Sequence, residues 1–322
     1  MRFVVYGAGA IGGVIGGRLT EHGHDVALIA RGAHYEAIRD HGLRVESPDD
    51  VVTVPVEVVD HPSHLRFGNS DVVVLAMKSQ DTADALTALT AVAPPTTPVL
   101  CAQNGVENER VAVRWFANVY GICVMCPAGH LVPGVVQAYS TPIPGILHLG
   151  RFPSGVDEVA EQVAGALRDA TFASEARPDI MRWKYTKLLM NLGNAAEAAF
   201  APSDARNTVI GQAREEGASV LRAAGIDFAS NEEDAALRGD TLRIRPIGSA
   251  RRSGGSSWQS LERKTGAVES DYLNGEIVSL ARLHAIPAPV NEALARLCTE
   301  MARDRAAPGS RSAEELLAVT NR

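Results

Sequence analysis

The sequence predicts an α/β domain with a doubly wound parallel sheet over residues 1–178, followed by an all-α domain over residues 179–322. Three observations carry this prediction. Short runs of β-branched residues (RFVVYG, DVALIA, DVVVLAM) alternate with helical patterns through the first half. Such runs suit strands buried on both faces of a parallel sheet. The glycine cluster GAGAIGG directly follows the first run and opens a helical pattern. From about residue 179 the strand runs cease and long helical patterns take over, a change of grammar that marks a second domain.

Taken in order, RFVVYGAG reads as a strand running into glycines, and IGGVIGGRLTEHG as a helix ending at Gly23. DVALIAR is the next strand, with a helix around His34–His41. LRVES and VTVPVEVV read as an antiparallel insertion. DVVVLAMK is a strand, TADALTALTAVA a helix, and PVLCAQNG and NVYGICVMC are strands. GVVQAYSTPIPGILHLG adds strands near the domain's end, and DEVAEQVAGALRDA is its closing helix. Helical patterns then cover 180–200, 206–225, 231–239, 257–284 and 289–305. RIRPIGSARRSGG, at 243–255, interrupts them as a basic loop, and the polar tail AAPGSRSAEELLAVTNR is expected to be loosely attached.

With 46% hydrophobic and 21% charged residues, the 322-residue chain has the composition of a soluble globular protein. A formal net charge of −7 argues against nucleic acid or an anionic membrane as partner. No apolar run reaches the roughly 18–20 residues of a membrane span. Met1-Arg2 leads straight into a strand, which leaves no room for a signal peptide and predicts a cytoplasmic protein. Cys123 and Cys126 have metal-ligand spacing, with His130 nearby. They lie in a strand-like run, however, and no second cysteine pair completes a tetrahedral site, so core packing is the expectation and no metal is assigned.

GAGAIGG places Gly7, Gly9 and Gly12 in GxGxxG spacing, with Ala8, Ala10 and Ile11 between them. After a strand and before a helix, this is the context of a Rossmann-type dinucleotide site. Gly7 permits the tight turn, Gly9 lets backbone approach a pyrophosphate, and Gly12 lets helix and strand pack closely. The helix N-terminus then offers amides and a positive dipole end to the phosphates. An NAD-preferring site carries an acid at the end of the second strand, for the ribose hydroxyl. Here that strand ends in Ala30-Arg31. A guanidinium suits a 2′-phosphate, so NADP(H) is the expected cofactor.

RWKYTKLLMNLGNAAEA, residues 182–198, should be a helix with Lys187 and Asn191 on one face, one turn apart. Hydride delivery to a ketone develops charge on oxygen and needs a proton donor within reach. Burial disfavours the charged form of a lysine, which suits that role. Lys184 is the competing lysine, but it lacks Asn191 as a face partner. Lys78 and Asn104 each follow a strand, and ligands gather at the carboxyl ends of parallel strands. Asn104 also precedes Gly105, so it reads equally as a turn residue.

Together, GAGAIGG, Ala30-Arg31, AMKSQDTADAL at 76–86, AQNGVEN at 102–108, RWKYTKLLMN at 182–191 and ESDYLNGEI at 269–277 resemble the ketopantoate reductase family in order and spacing along nearly the whole chain. The resemblance implies a Rossmann domain and a helical domain like the C-terminal domain of 6-phosphogluconate dehydrogenase. It implies NADPH-dependent reduction of 2-dehydropantoate to pantoate, a small anionic 2-oxo acid substrate, and Lys187 as general acid. It further implies Lys78 at the nicotinamide side of the cofactor, Asn104 on cofactor and substrate, and Asn191 on substrate. Ser257 falls at the family's carboxylate-binding serine. It would lie in the first turn of a helix opened by Ser256 and Gln259 in capping-box spacing. Glu269 matches the glutamate expected at the cofactor ribose and the reacting region, while Asp271 and Glu276 read as a solvated face. A homodimer is left open as its assembly.

The sequence departs from the family after Asn191. Ala195 stands where a second substrate asparagine is common, Asn194 lies one residue early, and Glu197 replaces an apolar residue. One residue is about 100° of helix rotation, so Asn194 need not reach the same ligand. Gly254 stands where another substrate-facing asparagine can occur, and Pro127 where a small residue near the cofactor is usual. A reductase of another 2-oxo or β-hydroxy acid is therefore one alternative, and a non-catalytic NADP-sensing protein is another. The arginines of RIRPIGSARR are expected near the site entrance, which itself is expected in an interdomain cleft.

Overall fold

The computed structural model describes residues 1–248, 254–264 and 266–320. The chain opens with β1 (Arg2–Tyr6), α1 (Ala10–Glu21), β2 (Asp25–Ile29) and α2 (Gly32–His41). After them come β3 (Leu43–Glu46), β4 (Val51–Val54), β5 (Glu57–Val59), β6 (Asp71–Leu75), α3 (Thr82–Thr90), β7 (Val99–Cys101) and α4 (Asn108–Ala112). The α/β part closes with β8 (Val119–Met125), β9 (Ala128–Gly129), β10 (Val135–Ala138), β11 (Ser140–Pro142), β12 (Ile146–Arg151) and α5 (Glu158–Asp169).

Seven strands form the main sheet in the order β12-β8-β7-β6-β1-β2-β5, parallel throughout except for β12. Val4 of β1 lies opposite Ala27 of β2 and Val73 of β6, which fixes the register at the centre. Alternation along each strand feeds two cores. Phe3, Val5, Val72, Val74 and Leu100 pack with Ile15, Leu19 and Leu167 of α1 and α5. Val4, Ala27, Val73, Leu75 and Val99 pack with Leu86 and Leu89 of α3 on the other side. This two-sided burial is why the strands read as unbroken apolar runs. β3 and β4 are antiparallel, as expected, but β5 joins the main sheet parallel to β2 rather than the insertion.

The remaining elements are α6 (Ile180–Asn191), α7 (Gly193–Ala199), α8 (Asp204–Ala223), α9 (Asn231–Arg238), β13 (Leu242–Ile244), α10 (Ser256–Glu262), α11 (Asn274–Leu283), α12 (Pro289–Arg303) and α13 (Ala313–Thr320). The expected helix over 180–200 is two helices, divided at Leu192, whose carbonyl accepts from Asn274 Nδ2 at 3.0 Å. Gly193, a poor helix former, follows it. The pattern over 257–284 also breaks, with Lys264 and Gly266 in left-handed conformations and a 3₁₀ turn at Ser270–Tyr272. The tail is anchored rather than loose. Gly309 N donates to Ala198 O at 2.9 Å and Arg311 N to Ala199 O at 3.0 Å, and Ala313 and Leu316 are buried.

The expected boundary lies at 178/179, whereas the compact units divide inside α6, after Lys184. The α/β unit also takes in α9 and β13, because β13 pairs antiparallel with β11. The helical unit holds 105–107, 185–230 and the described residues from Gly254 onward.

Candidate active site

The glycine loop is built for backbone, not side chains. Gly7 has φ +98°, and a Cβ there would lie 2.6 Å from Met77 N. A Cβ on Gly12 would lie 2.1 Å from the Gly7 carbonyl. Both glycines are therefore required by the protein's own packing. Gly9 differs, since a Cβ there would meet no atom within 4 Å. The chain's own packing therefore does not require a glycine there. Gly9 is the N-cap of α1, no side chain caps that end, and the first turn holds no acid. First-turn amides lack intrahelical partners and carry the positive end of the dipole, so this cradle fits a dinucleotide pyrophosphate. Arg31 is exposed at the N-cap of α2, directly after β2, with no acid at that strand's tip.

Lys78 is the N-cap residue of the short 3₁₀ turn after β6, and Asn104 lies just past β7. One buried polar network ties the two segments together. Gln103 Nε2 donates to Met77 O at 3.0 Å and to Thr82 Oγ1 at 2.8 Å. Thr82 Oγ1 donates in turn to Asn108 Oδ1 at 2.8 Å. Asn108 Nδ2 donates to Ser79 Oγ and to Asn104 O, both at 3.1 Å. Gly105 has φ +78°, so Asn104-Gly105 is a turn as well as a candidate contact.

The two lysines of α6 have different surroundings. Lys184 is buried, and its ammonium pairs with the fully buried Glu109 while donating to Gln103 O at 3.1 Å and Cys101 O at 3.4 Å. A buried ammonium needs this kind of compensation. Lys184 is thus consumed in holding the end of β7. Neither the pairing with Glu109 nor the Gln103–Asn108 network was part of the sequence reading. A lysine three residues before the candidate acid and an apolar-spaced Glu on a five-residue helix were the available signals. Beside the pair, burial and the Glu109 charge push the Cys101 thiol well up, so it stays protonated.

In the helical unit, Lys187 is half-buried and Asn191 is 5% exposed, one turn on. Ser257 is buried in the first turn of α10 and Glu269 is buried just before the 3₁₀ turn at Ser270–Tyr272. The expected capping box is absent: Gly255 is the N-cap and no side chain caps α10. Ser256 O instead accepts from Ser260 Oγ at 2.9 Å. Asn194 and Glu197 of α7 lie against this helix start, Glu197 Oε2 at 3.4 Å and Asn194 Oδ1 at 3.7 Å from where a Gly255 Cβ would be. The segment that departs from the family therefore adjoins Ser257. Gly254 has a reason of its own, because a Cβ there would meet the Trp258 ring at 2.5 Å.

Where the basic loop is described, its residues pair within the α/β unit. Arg243 lies in β13, and Arg245 pairs with Asp49 at 2.8 Å. Arg251 and Arg252 lie outside the described residues. Cys123 Sγ and Cys126 Sγ contact the Trp183 and Pro144 carbonyls, and among the described residues no cluster could hold a metal ion. Among them, too, no helix is long and apolar enough to cross a membrane.

Residues 3–154 match the family described as Ketopantoate reductase PanE/ApbA, and residues 179–302 match its C-terminal counterpart, Ketopantoate reductase PanE/ApbA C terminal. The 2-dehydropantoate 2-reductase of Pyrococcus horikoshii is 29% identical over 299 residues, covering 90% of this chain and 94% of its own. A PanE/ApbA family ketopantoate reductase from Ralstonia eutropha superposes with a TM-score of 0.80 at 27% identity, over 95% of this chain and 99% of its own. D-mandelate dehydrogenase, in a ternary structure with NADH and anilino(oxo)acetate, shares the fold with a TM-score of 0.80 at 23% identity over the same shares of the two chains.

Proposed function

The chain belongs to the ketopantoate reductase PanE/ApbA family, and from that premise we propose that it reduces 2-dehydropantoate to pantoate with NADPH. The observation that carries the residue assignment is the difference between the two lysines of α6. Lys184 is committed to Glu109 and two strand-end carbonyls, so Lys187, with Asn191 on its face, is the proton donor. When bound, NADPH would supply a hydride for the keto carbon. The glycine loop binds its pyrophosphate, and Arg31 its 2′-phosphate. Lys78 and Asn104, held by the Gln103–Asn108 network, contact the nicotinamide half.

Lys187 delivers a proton to the carbonyl oxygen as charge develops there. Asn191 orients the substrate by hydrogen bonding without adding charge. Ser257, in the first turn of α10, receives the substrate carboxylate, and Glu269 contacts the ribose. The test is NADPH oxidation over a panel of 2-oxo acids that includes 2-dehydropantoate. Preference for 2-dehydropantoate is the expected result, and no oxidation with any of them would overturn the reading in favour of a sensor.

A second reading follows from Glu197 and Asn194 at the start of α10. A carboxylate at Gly255, two residues before Ser257, changes the polarity at the start of α10, which favours a different 2-oxo acid. In that case the same panel shows a preference for another acid, and Glu197→Ala shifts it.

A further inference from the structure

His34, in the first turn of α2, has both ring nitrogens engaged. Nε2 lies 2.7 Å from the Ala8 carbonyl and Nδ1 lies 2.9 Å from the Gly134 amide. An amide only donates and a carbonyl only accepts, so these partners fix the tautomer: Nε2 carries the proton and Nδ1 accepts. His130 stacks on the ring with centroids 4.1 Å apart, and its own Nδ1 donates to Val135 O at 3.0 Å. All of these residues lie in the α/β unit. His34 sits one turn beyond Arg31, yet it has no ring nitrogen left for a phosphate. Its burial and the neighbouring His130 hold it at about 4, so it stays neutral as that tautomer requires.

The Ala8 carbonyl belongs to the glycine loop itself. A trans peptide points its C=O and the next N–H in opposite directions. Fixing the Ala8 carbonyl on His34 therefore fixes the direction of the Gly9 amide, at the residue whose Cα faces open space. Ala8 is packed in the core and Gly9 O accepts from Gly13 N at 2.7 Å, but neither residue brings a polar side chain of its own to the peptide between them.

We propose that His34 is a positioning residue for dinucleotide binding: it ties the Ala8–Gly9 peptide to the turn at Gly134 and so holds the loop's amides in the orientation that receives the pyrophosphate. This rests on the cofactor reading above. The role is indirect and concerns the pyrophosphate, so it is shared by NADPH and NADH and is separate from the 2′-phosphate preference assigned to Arg31.

The test is binding of NADPH, NADH and adenosine 2′-monophosphate to the full chain and its His34→Ala, His34→Gln and His34→Asn variants. His34→Ala is expected to weaken both dinucleotides by about tenfold, the loss of roughly one hydrogen bond's worth of orientation. Adenosine 2′-monophosphate, which has no pyrophosphate, should bind within about twofold of wild type. His34→Gln should recover most of the affinity, because its amide nitrogen reaches as far as Nε2 and can donate to Ala8 O. His34→Asn, which reaches only as far as Nδ1, should not. Dinucleotide affinity unchanged in His34→Ala would overturn the proposal alone, and so would equal loss for all three ligands or rescue by Asn rather than Gln. Wild-type protein that binds neither dinucleotide would overturn the cofactor reading and this one with it.

Discussion

The glycine loop and helix α6 are both proposed to serve the same reaction, but they are built in opposite ways. The loop works through backbone: at Gly7 and Gly12 the chain's own atoms leave no room for a side chain, whereas Gly9 faces open space. α6 works through side chains, and its two lysines have unlike roles that depend on what packs around each. A site made of backbone is written in local spacing. One made of side chains is decided by distant partners such as Glu109, 75 residues from Lys184.

The sharpest way to break that comparison is to remove one half of the buried pair. Lys184→Met or Glu109→Gln should each cost about 3–5 kcal/mol of stability, since the surviving group is left buried and uncompensated. Denaturant unfolding measures this, and a loss below about 1 kcal/mol would mean the pair is not buried in solution. The contrasting substitution, Lys187→Ala, should lower turnover by about a hundredfold or more while NADPH binding and stability stay near wild type. If Lys184→Met retains its fold and loses turnover to the same extent as Lys187→Ala, the two lysines are not separable as described.

On the loop side, Arg31→Ala should weaken NADPH by about tenfold to a hundredfold, as expected for a lost charge-assisted contact, and leave NADH unchanged. Equal loss for both would remove the 2′-phosphate role. A smaller effect concerns pH. The pKa of His34 is lowered on folding from 6.5 to about 4, chiefly by burial and then by His130. The unfolded chain therefore takes up this proton first, and stability present above pH 6.5 is lost as pH falls toward about 4. His34→Gln should flatten this part of the stability profile between pH 7 and 5, read as thermal midpoints, and an unchanged profile would deny the neutral, doubly bonded ring. The smallest effect belongs to Arg245→Ala. Its exposed, solvent-screened pair with Asp49 should leave the thermal midpoint within error of wild type, and a large rise in KM for the keto acid would place Arg245 on the substrate's path.

Much of the α/β unit was legible because its strands are buried on both faces and its glycine motif sits between a strand and a helix. The misreadings have local physical causes. β5 is a three-residue strand whose pairing with β2 has no signature in its own sequence. The helix over 257–284 failed at Lys264 and Gly266, where left-handed backbone ends a pattern that side-chain periodicity alone would continue. Ser256 matched a capping box by spacing, yet the chain enters α10 through Gly255. The tail looked polar and detached, but two backbone bonds to Ala198 and Ala199 dock it.

By itself, then, the sequence determined the class of each unit, the glycine loop between β1 and α1, the lack of an acid after β2, and the presence of a lysine and an asparagine in register on one helix. These follow from periodicity, glycine sterics and the order of residue types, all of which are local. Tertiary structure alone decided which lysine is buried in an ion pair, that the strand ends bearing Lys78 and Asn104 are stitched by Gln103 and Asn108, and that His34 grips the glycine loop. Those facts depend on which groups must satisfy one another once water is excluded, and the partners are brought together only by the fold.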